Sequence, residues 1–271
     1  MIPHDHITAW RSQAPWIQDF QVEQDLVLSR ALVEIFSEPA LADGLAFRGG
    51  TALHKLHLKS AVRYSEDIDL VQINAGPAGP IMNTLRNVLD PWLGQPQWRQ
   101  TRGRVSLIYR FESENTPSMR MRLKVEINSR EHFSILGFEK ILFSVDSPWF
   151  RGASDIVTYP LDEILATKLR ALYQRKKGRD LFDLVSALES GRVDASRVVT
   201  AFTAYMERNG SPVTRAQFER NLSIKLRDPR FRADIEPLLS QGCRWNVDEA
   251  SRDVSGQFIA LLPGAPWKGE P

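Results

Sequence analysis

Asp67 and Asp69 stand two residues apart in Ser65-Glu66-Asp67-Ile68-Asp69-Leu70-Val71, a run that alternates as a strand does. On a strand, residues two apart face the same way. Both carboxylates therefore project together while Ile68 and Leu70 turn towards a core. Two hard oxygen ligands on one face suit Mg²⁺. Upstream, the short apolar run Leu45–Phe47 ends in Arg48 and then Gly49-Gly50-Thr51. A helical spacing of Leu53, Leu56 and Leu58 follows. A Gly-Gly turn between a strand and a helix offers backbone N–H groups to an anion such as a phosphate. A phosphate turn and a metal pair within residues 45–73 point to nucleotide chemistry.

Other candidates lie further along. Leu123, Val125 and Ile127 mark a strand whose opposite face carries Lys124, Glu126 and Asn128. Glu126 is thus a third carboxylate on a strand of the same expected sheet. Lys168 lies beside the apolar stripe formed by Ile164, Leu165 and Leu172. A lysine there either snorkels to solvent or aims its ammonium at an anion in a cleft. After the basic turn Arg175-Lys176-Lys177-Gly178-Arg179 come Asp180 and Asp183, three residues apart on one helix face. Asp180 reads as a helix cap. Asp183 is one turn further in, between Phe182 and Leu184, where capping explains it less well.

The elements that must position these residues follow from periodicity. Residues 7–45 are helical in pattern. Residues 45–73 form strand, turn, helix and strand. A helix is expected over 81–92, irregular chain over 94–104 and alternating strands through Val105–Phe111 and Leu123–Ile127. The link at 114–118 suits a hairpin connection, and Ile141–Val145 is a further short strand. From Pro160 to about Leu239 the pattern is helical. The expected fold is α+β: a mixed-sheet core with an N-terminal helical segment over 1–160, a helical C-terminal lobe over 161–262 completing an active-site cleft, and a flexible tail over 263–271.

Composition sets the class. The chain has 271 residues, 42% hydrophobic and 25% charged, as in ordinary globular proteins. No apolar run approaches about 18 residues, so no membrane span is expected. Its N-terminus lacks the features of a signal peptide. The single cysteine, Cys243, excludes an internal disulfide and fits a cytoplasmic location. Net charge is +2 but uneven: residues 1–45 carry two Lys/Arg against seven Asp/Glu, and residues 46–160 carry 15 against 11. Residues 214–232 are the most basic part of the C-terminal half, either a solvated helix face or a track for nucleic acid.

Strand, Gly-Gly-Thr, helix, Asp-x-Asp strand and a later acid-bearing strand together resemble the nucleotidyltransferase superfamily of DNA polymerase beta. A closer resemblance rests on four ordered motifs: Phe47-Arg48-Gly49-Gly50-Thr51-Ala52-Leu53, Ser65-Glu66-Asp67-Ile68-Asp69-Leu70, Lys168-Leu169-Arg170-Ala171-Leu172 and Arg179-Asp180-Leu181-Phe182-Asp183-Leu184. Across residues 40–190 they look like the AbiEii abortive-infection toxin family, whose mycobacterial relatives are the MenT toxins. That resemblance implies a toxin of a toxin–antitoxin pair. It would transfer a nucleotide from an NTP, with CTP or UTP favoured, to the 3′ end of tRNA and so block translation. It implies an AbiEi-like antitoxin as partner and Mg²⁺ as cofactor. By motif, Asp67 and Asp69 would hold the metal, with Glu126 matching the superfamily's variable third acid. Lys168 and Asp183 would be the later catalytic pair, with Lys168 also on the nucleotide. Gly49, Gly50 and Thr51 would bind phosphate.

Two other readings compete: a transferase whose acceptor is a protein or a small molecule, and an inactive module that only binds or regulates. Other conspicuous residues read as bland. His54 and His57 suggest partly exposed helix positions rather than zinc ligands. Trp92, Trp98, Trp149 and Trp245 suggest packing rather than base stacking.

Overall fold

The computed structural model describes residues 2–59, 61–114 and 117–269. The chain divides into two compact units, one of Met1–Ser134 with Phe138–Tyr159 and one of Ile135–Gly137 with Pro160–Pro271.

The first unit opens with helices α1 (His4–Trp10), α2 (Asp19–Ser37) and α3 (Pro39–Gly44). Strand β1 (Leu45–Arg48) runs directly into a short helix α4 (Gly49–Ala52), which continues as one wide π-helical turn over Leu53–Leu58. There follow β2 (Asp67–Gln72), α5 (Ala78–Leu93), β3 (Gln97–Thr101), β4 (Arg104–Glu112), β5 (Arg120–Asn128), β6 (Glu139–Asp146) and β7 (Arg151–Thr158). Among the described residues, seven strands form one mixed sheet in the order β3-β4-β5-β2-β1-β7-β6. β2 is antiparallel to β1 and parallel to β5.

Period-two alternation gives this sheet one apolar face. Val105, Leu107, Tyr109, Leu123, Val125, Ile127, Ile68 and Leu70 are all buried. Helices α2 and α5 pack on that side, and the Tyr109 hydroxyl donates to Asp90 on α5 at 2.9 Å. The alternate residues of the same strands face the other way.

The N-terminal helices do more than cover the core. Buried Asp25 of α2 accepts from the indole N–H of Trp10 (2.9 Å) and of Trp16 (3.3 Å). Lys55, inside the π turn, donates to both Asp25 oxygens at 2.9 Å and to Ser29 Oγ at 3.0 Å. The turn that follows the two glycines is thereby tied to α2. The same turn buries His54 and His57, which are 6% and 5% exposed, so the expectation that they are partly exposed does not hold. A π turn places its residues about one position out of α-helical phase, and both imidazoles rotate inward.

Two strands differ from the sequence expectation. Residues 97–101 form strand β3 rather than irregular chain. β7 is a strand that the sequence reading did not contain. The 114–118 connection joins the antiparallel pair β4 and β5, but Asn115 and Thr116 lie outside the described residues.

The second unit is helical: α6 (Leu161–Gln174), α7 (Gly178–Glu189), α8 (Ala195–Arg208), α9 (Arg215–Leu226), α10 (Pro229–Ala233) and α11 (Val247–Gln257). The last lies beyond the expected end of the helical pattern. Caps set the starts. Asp194 accepts from Ser196 and Arg197 N–H at α8, Thr214 and Gln217 form a reciprocal box at α9, and Asn246 caps α11. Residues 135–137 join this unit through fully buried Glu163, which accepts from the N–H of Ile135 and Leu136 at 2.7 Å and from the Tyr205 hydroxyl at 2.7 Å. The C-terminal segment is held at Pro263, whose carbonyl accepts from Arg215 N–H at 2.8 Å, and at Trp267, whose N–H donates to Glu219 at 2.6 Å. Glu270 and Pro271 lie outside the described residues.

Candidate active site

Gly49 begins the site. Its φ is +88°, a left-handed conformation that glycine adopts without strain. A Cβ built there would stand 2.4 Å from Asp69 Oδ2, so the position has no room for a side chain. The bare turn lets the Asp69 carboxylate lie against the start of α4. No side chain caps that helix start, and the first N–H groups of a helix have no intrahelical acceptor.

Thr51 is placed differently from Gly49 and Gly50. The residue is 2% exposed, and its hydroxyl donates to the Asp67 carbonyl at 2.6 Å and lies 2.7 Å from Ser65 Oγ. Its side chain therefore fastens the turn to β2.

On β2, Asp67 and Asp69 share the face opposite the apolar one. Asp67 Oδ1 is buried without a hydrogen-bond partner among the described residues. Burial pushes the Asp67 pKa up to about 6; the charges of Asp69 and Glu66 add to the rise, while Lys124 and Arg122 oppose it. An orphaned carboxylate oxygen beside a second carboxylate is a site that a cation would complete. The donors are hard oxygens, the set Mg²⁺ uses when one or two carboxylates hold it and substrate phosphates supply the rest. Among the described residues, no three His, Cys, Asp or Glu side chains gather into a metal-holding cluster.

Glu126 sits directly opposite Asp69 in the parallel β2–β5 register. Its carboxylate is engaged by Lys124 Nζ at 2.6 Å and Arg104 Nε at 3.0 Å. Lys124 also stands 3.9 Å from Asp67 Oδ2. Burial would lower the Lys124 pKa, but the bond to Glu126 and the charges of Asp67 and Asp69 outweigh it and hold the value raised.

Sequence reasoning gave two residues of this face no role. Arg48 pairs with Asp69 across β1 and β2 and makes a 2.7 Å ion pair from Nη1 to Glu131 Oε2. Lys124 was assigned only a position opposite the apolar residues. The signal for Arg48 was its place immediately before the two glycines, because the last residue of β1 must flank the strand that carries the aspartates.

Lys168 and Asp183 belong to the second unit. Lys168 is not a snorkelling residue: it is 6% exposed and its Nζ lies 2.7 Å from Asp183 Oδ2 and 3.8 Å from Asp180 Oδ1. Asp180 and Asp183 are both fully buried. Arg175 forks onto Asp180 with two bonds of 2.7 Å. Asp180 is therefore an ion-pair partner and not a cap; at the start of α7 the Arg179 N–H donates to Asp234 Oδ2 at 3.3 Å. The i, i+3 spacing on α7 and the inward lysine on α6 bring Lys168, Asp180 and Asp183 into one buried cluster, which the exposed Arg175 reaches from outside.

The AbiEii nucleotidyltransferase toxin model, type IV toxin–antitoxin system, matches residues 30–252. This chain belongs to the AbiEii family. It is a nucleotidyltransferase toxin of a type IV toxin–antitoxin system, with an NTP as substrate and an antitoxin as partner. Solved structures share the fold. MenT4, a nucleotidyltransferase toxin from Mycobacterium tuberculosis H37Rv, superposes with a TM-score of 0.68 at 18% identity, covering 97% of this chain and 91% of that one. JHP933 from Helicobacter pylori superposes at 0.53 with 15% identity, covering 90% and 92%. No curated protein matches the sequence. Among the described residues, no helix of this AbiEii toxin is long and apolar enough to cross a membrane.

Proposed function

We propose that this AbiEii toxin transfers a nucleotide from an NTP, with CTP or UTP favoured, to the 3′ hydroxyl of tRNA in the cytoplasm, using Mg²⁺. The observation that carries the metal-dependent transfer is the Asp67–Asp69 pair, with one buried carboxylate oxygen unpartnered and Gly49 cleared to admit the other carboxylate. The tRNA acceptor and the pyrimidine preference rest on the four motifs shared with the family.

In the reaction the 3′ oxygen attacks the α-phosphorus, the bond to the β-phosphate oxygen breaks, and pyrophosphate leaves with its negative charge. The hydroxyl proton passes to solvent. Asp67 and Asp69 would hold Mg²⁺, which when bound would neutralise phosphate charge and lower the pKa of the attacking hydroxyl. Gly49 and Gly50 let the backbone approach phosphate. Thr51 keeps the turn fixed to β2, and Glu126 positions Lys124 beside Asp67 rather than ligating the metal. By the motif match Lys168 is the later catalytic lysine, a point charge suited to phosphate, and Asp183 orients it. Positioning and electrostatics are what such a transfer asks of a protein.

Incubation of the purified protein with tRNA, Mg²⁺ and each of the four labelled NTPs tests this reading. Label on RNA that vanishes in Asp69→Asn is the expected result. Label on no RNA with any NTP overturns it, and label on protein alone makes the acceptor a protein.

A further inference from the structure

The face that carries Asp67 and Asp69 does not end at β2. Lys124 and Glu126 of β5 lie beside the two aspartates. Ile108 and Ser106 of β4 lie beside those, and Gln97 and Arg99 of the edge strand β3 complete the rows. Two positions along, Arg122 of β5 is paired with Arg110 of β4, and next to them Arg120 is paired with Glu112. In the other direction Asn128 is paired with Arg104. Directly paired residues share a face. Six cations, Arg99, Arg104, Arg110, Arg120, Arg122 and Lys124, therefore share it, and on these three strands only Glu112 and Glu126 oppose them.

A solvated sheet face needs no such excess. Like charges directly opposite one another destabilise a strand pair, yet Arg110 faces Arg122. Arg104 and Lys124 are held by Glu126, and Arg122 reaches Glu66 at 3.7 Å. Arg99, Arg110 and Arg120 are exposed and have no ion-pair partner among the described residues. The basic stretch after residue 214 differs. There Arg215 is paired with Glu219 and Arg232 with Asp248, and Lys225 is buried against the carbonyls of Leu172 and Tyr173. Three cations of that stretch are thus structural; Arg220 and Arg230 are exposed there, whereas the exposed arginines of the sheet share the face of the two aspartates.

We propose that the β3–β4–β5 face is the track along which the phosphate backbone of an RNA acceptor runs to the aspartates; this rests on RNA being the acceptor. β3 is three strands from β2, about 14 Å at the usual spacing, so the track extends over more than one nucleotide. Arginine forks grip phosphate oxygens two at a time. A flat, spread array suits a backbone rather than a compact anion. An acidic protein segment would meet the same charges, but an acceptor must end at Asp67 and Asp69, and this face is continuous with them.

The test uses Arg99→Glu/Arg110→Glu/Arg120→Glu in the full chain, with the corresponding triple Gln variant as the milder form and thermal melts to verify folding. Binding of bulk tRNA is measured over a salt series, and binding of a fluorescent NTP analogue with Mg²⁺ is measured beside it. The Glu variant is expected to lose at least tenfold in RNA affinity and about 2 in the log–log salt slope, from three lost phosphate contacts. NTP binding stays within twofold. Unchanged RNA affinity and slope overturn the track, as does an equal loss of NTP binding. Poly-glutamate displacing RNA from the wild type at equal charge also overturns it, in favour of an acidic protein partner. If the variant's slope flattens but wild type labels no RNA, the track stands and the transfer to RNA falls. If both proteins label RNA equally, the transfer stands and the track falls.

Discussion

On β2, Asp67 keeps one carboxylate oxygen buried with no hydrogen bond, and burial raises its pKa to about 6. On α6 and α7, Lys168, Asp183, Asp180 and Arg175 close on one another at 2.7 to 3.8 Å. Both groups are built around a pair of carboxylates. The first is under-satisfied, a state that a bound cation would relieve. The second is already paired, so its carboxylates fix where the Lys168 ammonium stands. A buried, fully paired network fixes geometry, whereas an under-satisfied carboxylate is what a ligand comes to complete.

Breaking the two should then look different. Asp69→Asn should reduce transfer by about a thousandfold or more, the scale on which electrostatic transition-state groups act, while thermal melts in the absence of metal show no loss of stability. An Asp69→Asn protein with full transfer activity would falsify the assignment of β2 as the reaction centre. Asp183→Ala should do the reverse first: it leaves a buried ammonium without its 2.7 Å partner and should cost about 3–5 kcal/mol in denaturant unfolding. Combining it with Lys168→Met should recover part of that loss. A double variant as unstable as the sum of the singles would show that the pair is not coupled.

Smaller effects sharpen the contrast. Gly49→Ala must displace Asp69, because its Cβ would sit 2.4 Å from Oδ2. A displacement of that size costs about a hundredfold in rate and, with the strained φ, about 1 kcal/mol or more in stability. Transfer within threefold of wild type would mean that the carboxylate does not need its present position. Smallest is Glu23, fully buried on α2, with Oε1 unpartnered among the described residues and a pKa raised by burial to about 7 from 4.5. Its folded pKa lies above its unfolded one, so the folded chain binds the proton more tightly. That stabilisation is complete below pH 4.5 and is lost as pH rises through about 7. Glu23→Gln should therefore raise stability by about 1–2 kcal/mol at pH 8 and flatten the pH dependence of the melts. A variant that melts below wild type at pH 8 would show that the ionised carboxylate is favourable there.

The sequence disclosed this site unevenly. Asp67 and Asp69 were legible because strand alternation is local, and the same local pattern marked β4, β5 and the helices of the second unit. Lys168 was legible as a conflict, a charge beside an apolar stripe. Its resolution by Asp183 was not, because that contact joins two helices. Asp180 passed for a cap because helix-start position outweighed everything else in view. β3 and β7 were missed for lack of an apolar signal: every residue of β3 is exposed, and β7 buries only its last part. The arginine face needed register. No spacing in sequence says that Arg99 and Asp69 lie in one row, since that depends on β4 and β5 lying between β3 and β2.

The π turn after the glycines has a cost and a return. Its hydrogen bonding is poorer than that of an α-helix, and deleting one residue from Leu53–Leu58 would let the backbone relax to the better form. The deletion would also rotate everything beyond it by about a third of a turn, carrying Lys55 away from Asp25 and so releasing Trp10 and Trp16 from a common anchor. The shorter chain would have a more regular helix but a looser attachment to α2, and the glycine turn at its head would inherit that slack. Local irregularity here is how the fold transmits rigidity to the position where a phosphate would bind.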